Sequence, residues 1–379
     1  MQPVIVGIIG CGSISNAYFT GAARSQFLCI KACADLRPEA AQAKALQHGV
    51  AAMTVDALLG DPDIEIVINL TVPQAHVPVS LQILDAGKHV YLEKPLATDL
   101  AAARDLLARA RKLGLRVGCA PDTFFGASHQ ACRAAIDAGR IGRPIGGAVA
   151  VLSRGMESWH PNPEFFFKPG GGPIHDVGPY YVTQLVNLLG PVKRVAASAT
   201  IGLSQRIISS EPRRGQVIDV AVPTTVNGVL TFEGGANVAL SASWDVWAHQ
   251  RAPIEIYGTE GSLLGVNPNF FGGEPRLSVR DGGFVPLDTH AHPFGVDNFT
   301  SRSGGRAADY RAVGVVDMAL ALRMLRPHRA SGELALHVLE VLDAFERSSR
   351  EGRHIEMETT AEQPAAVPLG TGEEVFLVA

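Results

Sequence analysis

Short apolar runs alternate with helical stretches over the first third of the chain. Residues 4–9 form a β-branched run, 14–25 have helical character, and 28–34 form a second apolar run that ends at Asp35. The Ala-, Lys- and Gln-rich segment 37–48 predicts a helix. Residues 64–70 predict a third strand, 74–86 a helix, 89–92 a strand, 100–112 a helix and 115–120 another strand. Strands separated by helices of about ten to fifteen residues predict βαβ units and a parallel sheet. The near-continuous apolar character of IEIVINL fits a strand buried on both faces.

The pattern changes after Gly139. Apolar runs at 145–152, 192–201, 226–232, 237–243, 254–257, 262–266 and 277–280 follow one another with few helices between them. Turn signals such as Glu233-Gly234-Gly235 and Asp281-Gly282-Gly283 bound many of them, which predicts a largely antiparallel sheet. Helices are expected over 177–189 and 306–325. A third, over 332–349, carries apolar residues at 334, 338, 339, 342 and 345, the spacing of one helix face. The tail from Thr359 is broken by Pro and Gly and reads as an arm over the surface or a partner subunit, or as disordered. The expected fold is α/β: an N-terminal doubly wound parallel sheet of Rossmann type over 1–122, then an α+β domain with a large, mostly antiparallel open sheet over 123–358. The helix over 332–349 has the option of packing back on the first domain, and 359–379 forms a C-terminal arm.

A length of 379 residues favours two domains over one core. The net charge of −4 argues against a broadly basic nucleic-acid binder. No run of 18 apolar residues exists to span a membrane, and MQPVIVGIIGCG has no basic segment before its apolar stretch, so no signal peptide is expected. The five cysteines (Cys11, Cys29, Cys33, Cys119 and Cys132) are odd in number and form no CxxC pair, which suits free buried thiols in a reducing cytoplasm. His290 and His292 form an HxH without a Cys or carboxylate partner at metal spacing, so no metal is expected.

The first chemical signal is Gly10-Cys11-Gly12-Ser13-Ile14-Ser15, a glycine turn between strand and helix. The first glycine permits the turn, the second admits a pyrophosphate close to the backbone, and the helix N-terminus offers N–H donors. Ser15 stands where the full fingerprint has a third glycine. Asp35 lies 23 residues after Gly12, where a carboxylate can accept both ribose hydroxyls and repel a 2′-phosphate. This favours NAD, with NADP as the alternative because Arg37 could bind that phosphate.

Three further segments, taken with this start, resemble the Gfo/Idh/MocA family of oxidoreductases (glucose–fructose oxidoreductase, inositol dehydrogenase and rhizopine catabolism proteins). They are Glu93-Lys94-Pro95-Leu96-Ala97 directly after a strand, Gly170-Gly171-Gly172-Pro173-Ile174-His175-Asp176-Val177-Gly178-Pro179-Tyr180, and Asn69-Leu70-Thr71-Val72-Pro73 followed by His76. The resemblance covers roughly residues 4 to 350 in order and spacing. It implies a Rossmann domain and an α/β domain whose open sheet forms the substrate site or packs against another subunit. It also implies that Lys94 lies beside the nicotinamide and substrate, with a cis peptide before Pro95. The cofactor set it implies is Gly10, Gly12, Ser13, Ile14, Asp35, Arg37, Thr71, His76, Glu93 and Lys94. The family's aspartate matches as Asp176, whereas Tyr180 replaces the usual histidine four residues on. That departure weakens an inositol dehydrogenase assignment while leaving dehydrogenase chemistry in place.

On the residues alone, Asp176 and Tyr180 at i and i+4 of an expected helix share one face. A phenol is a poor base at neutral pH unless a nearby cation favours its phenolate, and Lys94 and an oxidised nicotinamide are both positive. Tyr180 is therefore given proton transfer, Lys94 charge stabilisation and hydroxyl holding, and Asp176 the orientation of a substrate hydroxyl. An alternative has Lys94 as the base, relayed through Asp176. The reading requires these groups to meet at a bound pyridine ring. Substrate contacts are expected from Trp159 and His160 in a proline-rich loop, and from Asp122 after the last parallel strand. His175 is read as structural, and Gly178 as a site of close approach or tight helix packing. The substrate class is a carbohydrate or polyol, and the broad sheet suits a homodimer or homotetramer. Two rivals remain open: a glycoside-cleaving enzyme that oxidises the sugar transiently, and a non-catalytic cofactor-binding regulator.

Overall fold

The computed structural model describes residues 1–300 and 304–377. Chain order begins with β1 (Val4–Ile9), α1 (Ser15–Ala23), β2 (Leu28–Ala34), α2 (Pro38–His48), β3 (Ala51–Ala52) and α3 (Val55–Gly60). It continues with β4 (Ile66–Asn69), α4 (Pro73–Asp85), β5 (His89–Leu92), α5 (Leu100–Leu113), β6 (Val117–Cys119), α6 (Ala127–Asp137) and β7 (Pro144–Leu152). Then come α7 (Gly172–Asp176), α8 (Gly178–Leu189), β8 (Val192–Thr200), β9 (Gln205–Ile207), β10 (Val217–Asp219), β11 (Thr225–Phe232) and β12 (Asn237–Ser243). The remainder is β13 (Ile254–Gly258), β14 (Gly261–Gly265), β15 (Arg276–Val279), β16 (Val285–Pro286), β17 (Phe299–Thr300), β18 (Arg306–Ala307), α9 (Val313–Arg323), α10 (Gly332–Glu351) and β19 (Ile355–Glu356).

Two compact units divide the chain. The first comprises Met1–Gly126 and the described parts of His290–Leu336 and Val367–Ala379; the second comprises Ala127–Thr289 and His337–Ala366. In the first unit six parallel strands run in the order β3-β2-β1-β4-β5-β6. Ile66, Val67, Ile68 and Asn69 are all fully buried. Successive strand residues point to opposite faces, so both faces of β4 are covered. The order reverses between β1 and β4, and the carboxyl ends of strands beside such a reversal are where open α/β sheets bind ligands.

The second unit is built on nine strands in the order β16-β15-β14-β13-β7-β12-β11-β8-β19. Only β7 and β12 pair in parallel; the other neighbours are antiparallel. Val238, Leu240 and Ala242 are buried while Asn237 and Ala239 are exposed, so one face is covered and the other open. Gly178 is a tight packing point: a Cβ there would lie 2.7 Å from Leu342 Cδ2 of α10.

Several segments depart from the sequence reading. The helix expected over 306–325 begins only at Val313, because Arg306–Ala307 pairs with Phe299–Thr300 and Ala312 sits at φ 83°. The helix expected over 177–189 is preceded by the separate α7, and Val177 at φ −105° marks the break. Pro179 in the first turn of α8 has no N–H to continue the α7 ladder. Asp176 and Tyr180 thus belong to two helices, and i, i+4 spacing on one helix no longer relates them. Two helices were not anticipated: α3, capped by Thr54 accepting from Ala57 N–H at 3.2 Å, and α6. Cys29 is exposed, and only the other four cysteines are the buried thiols expected from the sequence. The tail is anchored rather than draped: Thr359 binds Glu340, and Phe376 is fully buried edge-on to Phe125, with ring centroids 5.7 Å apart. Among the described residues no helix is long and apolar enough to cross a membrane.

Candidate cofactor site and reactive residues

The turn after β1 carries the features a dinucleotide needs. Gly10 sits at φ +102°, and a Cβ there would lie 2.5 Å from the Leu70 carbonyl oxygen, so the close approach of this turn to the end of β4 requires glycine. Gly12 faces open space. Ser13 and Ile14 are exposed. Ser15 is buried and donates from Oγ to the Gly12 carbonyl at 2.7 Å, which closes the turn in place of a third glycine. The N-terminus of α1 has no side-chain cap and no acid in its first turn, so its positive end is left for an anion.

Asp35 leaves the end of β2 half-buried. Its Oδ2 accepts from Cys11 N–H at 2.8 Å and its Oδ1 from Arg37 N–H at 2.9 Å. The acid is thereby fixed next to the glycine turn, with further lone pairs for hydroxyl donors. The mostly exposed Arg37 guanidinium stands 3.8 Å away. This donor set fits the adenosine and pyrophosphate of NAD.

At the end of β4, Thr71 donates from Oγ1 to Asn69 Oδ1 at 2.6 Å. Asn69 Nδ2 in turn holds the His76 carbonyl at 2.9 Å and Ser80 Oγ at 3.0 Å. The His76 ring is 1 % exposed, with Nδ1 2.6 Å from the Pro95 carbonyl oxygen and Nε2 3.1 Å from that of Thr71. At the end of β5, Glu93 Oε1 accepts from Tyr18 Oη at 2.9 Å and Oε2 from Lys94 N–H at 3.0 Å. Burial and Glu93 hold the Tyr18 phenol well above its ordinary pKa, so it remains a donor. Lys94 and Pro95 are half-buried and joined by a cis peptide.

Asp122 follows β6 and is 2 % exposed; its Oδ2 accepts from Gly314 N–H at 3.1 Å. Burial raises its pKa to about 7, with Glu93 and Asp309 adding to the shift and Gly314 N–H and Arg311 opposing it. The buried hydroxyl of Tyr91 lies against the same glycine: a Cβ on Gly314 would come within 2.3 Å of it.

The remaining candidates belong to the second unit. Asp176 ends α7 and Tyr180 lies in the first turn of α8, both half-buried. His175 turns to α10, with Nε2 3.3 Å from Glu346 Oε1, consistent with a structural role. Trp159 is half exposed and stands edge-on to His160 at 5.4 Å; His160 in turn meets Phe166 at 5.1 Å. Behind this loop, buried Arg206 bonds Glu157 at 2.8 Å and also Asp245. Sequence reasoning missed Tyr18 and Arg206 as supports, since no local motif announces partners 39 to 75 residues away, and it quoted Asn69 for the resemblance without giving it the task of holding His76 and Ser80.

Known proteins align with this arrangement. A family model described as an oxidoreductase family with an NAD-binding Rossmann fold matches residues 4–120, and one described as a Gfo/Idh/MocA C-terminal domain matches 129–264. The chain is 31 % identical over 271 residues to 1,5-anhydro-D-fructose reductase of Ensifer adhaerens, covering 69 % of this chain and 75 % of the relative. It is 25 % identical over 351 residues to inositol 2-dehydrogenase of Rhizobium meliloti, covering 92 % and 98 %. A solved levoglucosan dehydrogenase, in complex with NADH and L-sorbose, superposes with a TM-score of 0.79 at 21 % identity, over 95 % of this chain and all of that one.

Proposed function

The chain belongs to the Gfo/Idh/MocA oxidoreductase family, and on that premise we propose that it transfers a hydride between nicotinamide and a hydroxyl-bearing carbon of a sugar, cyclitol or related polyol. The observation that carries the reading is the combined site at the strand ends of the first unit: an uncapped α1 N-terminus, a tethered Asp35 and Lys94. The names of its relatives add the substrate class, since an anhydrofructose reductase, an inositol dehydrogenase and a levoglucosan dehydrogenase all handle multiply hydroxylated rings.

Bound NAD supplies the hydride acceptor. The α1 N-terminus and the Gly10–Gly12 turn bind the pyrophosphate through backbone N–H groups, and Asp35 receives the ribose hydroxyls of the adenosine half. Lys94 holds the reacting hydroxyl and stabilises negative charge as it develops on oxygen. Tyr180 accepts the hydroxyl proton, and Asp176 orients a neighbouring hydroxyl. Trp159 and His160 supply a ring surface for the sugar. Asp122 stays a candidate substrate contact only through its position after β6, because its carboxyl group is buried. The open face of the nine-stranded sheet is the proposed surface for a homodimer or homotetramer.

Incubating the protein with a panel of polyols and aldoses and either NAD+ or NADP+, followed at the nicotinamide absorbance, tests the reading. Steady formation of reduced cofactor supports it. Sugar release without net reduction would replace it with transient-oxidation glycoside cleavage, and cofactor binding with no turnover on any substrate would leave a regulator. Lys94→Ala should lower kcat at least about a hundredfold with NAD+ affinity held within a few fold; near-full turnover would remove Lys94 from the mechanism.

A further inference from the structure

β4 ends in the fully buried Asn69, and α4 starts at Pro73, two residues after Thr71 has turned the chain. The Asn69 side chain binds both the His76 carbonyl and Ser80 Oγ, so the backbone that carries the His76 ring is pinned to the sheet. From that anchor the ring reaches the Pro95 carbonyl oxygen at 2.6 Å and the Thr71 carbonyl oxygen at 3.1 Å. Carbonyl oxygens only accept, and a neutral imidazole has a single N–H. The shorter contact takes the proton, which makes Nδ1 the donor to Pro95. Pro95 follows Lys94 directly, and the Lys94 N–H is itself held by Glu93 Oε2 at 3.0 Å. The segment is therefore gripped on both sides of Lys94.

We propose that His76 is the positioning residue of the reactive lysine: its ring fixes the peptide after Lys94 through the Pro95 carbonyl, and it contributes to the dinucleotide site from behind rather than by touching the cofactor. The 1 % exposure of His76 leaves its ring almost no surface for a ligand. Burial pushes its pKa below the ordinary histidine value, and Lys94 pushes the same way. The two carbonyls and Glu93 oppose this; Glu93 and Lys94 are the charged groups that face the ring. The neutral Nδ1–H form therefore prevails at neutral pH and grips Pro95. A second proton, taken up in acid, adds a donor toward Thr71 without releasing Pro95. This deepens the proposed function and rests on the role given there to Lys94.

Two measurements test it. Ring 15N NMR of His76 in the full chain across pH should show the Nδ1–H tautomer at neutral pH, with any second protonation below the ordinary histidine range. A proton on Nε2 at neutral pH would overturn the proposal. This readout needs no turnover, so it stands apart from any failure of Lys94 as a catalytic group. His76→Phe should lower kcat about tenfold or more, as expected for a misplaced reactive group, with NAD+ affinity within about twofold. His76→Gln, which retains a donor, should recover much of the loss. Unchanged kcat in His76→Phe, or a tenfold loss of NAD+ affinity with kcat intact, would overturn positioning. Should His76→Phe fail to fold, the tautomer decides.

Discussion

Asp35 has each carboxylate oxygen engaged by one backbone N–H, from Cys11 and from Arg37, so the acid proposed to receive the ribose also ties the glycine turn to β2. Asp35→Ser should move the ratio of kcat/KM values from NAD toward NADP, because the repulsion of a 2′-phosphate disappears and Arg37 remains beside it. An unchanged ratio would mean that this acid does not meet the ribose. Asp122 illustrates a different cost. Its pKa of about 7 in the folded chain exceeds the usual carboxylate value of about 4. The folded protein thus keeps a proton that the unfolded chain releases. Stability falls as pH rises from about 4 to about 7, by up to about 4 kcal/mol, and the penalty is absent below that window. Asp122→Asn still offers an oxygen to Gly314, so it should raise Tm over the wild type at pH 8 and change it little at pH 4; thermal melts across pH check this. The glycine turn after β1 and the acid at the end of β2 were legible in the sequence because both stand at strand ends that the apolar runs mark. The orientation of His76 was not, since its backbone carbonyl is held by the Asn69 side chain and its ring meets a carbonyl 19 residues away, and no local pattern marks either contact.

Among the elements, the β9–β10 ribbon supports the loop that bears Trp159. Ser209 and Ser210, just after β9, donate backbone N–H groups to the Glu157 carbonyl, and Ser210 Oγ donates to that of His160 at 2.5 Å. Arg206 within β9 is 6 % exposed and bonds the carboxylates of Glu157 and Asp245 and the carbonyls of Arg154 and Trp244. Arg206→Leu leaves Glu157 buried without its counter-ion and should cost about 3–5 kcal/mol in urea unfolding. It should also raise the polyol KM more than the NAD+ KM; equal changes would separate the loop from substrate binding. Alternating strands and helices were readable where periodicity extended over whole elements. It failed where single residues decide: Ala312 in the left-handed region delays α9, and Pro179 keeps α8 apart from the short α7 that precedes the expected helix. The α6 helix was hidden because its buried residues include His129, Gln130 and Arg133, which carry no apolar stripe.

On the scale of the whole molecule, the parallel sheet and the open antiparallel sheet were both legible in sequence, because each has its own period and its own turn chemistry. The route of the last residues was not. Phe376 is fully buried against Phe125 and Phe294, and its carbonyl lies 3.4 Å from Arg326 Nη2. Phe376→Ala should cost about 3–5 kcal/mol, read as a lower midpoint in denaturant; a change within about 0.5 kcal/mol would mark the contact as dispensable. Because the first unit draws on three separated stretches of chain, its assembly is tied to the order of synthesis. A ribosome releases all six parallel strands early, yet the aromatic plug that closes their unit is made well over two hundred residues later. Until then Phe125 and Phe294 lack their partner, and a nascent chain stalled short of that point would carry a finished sheet with an unfinished core.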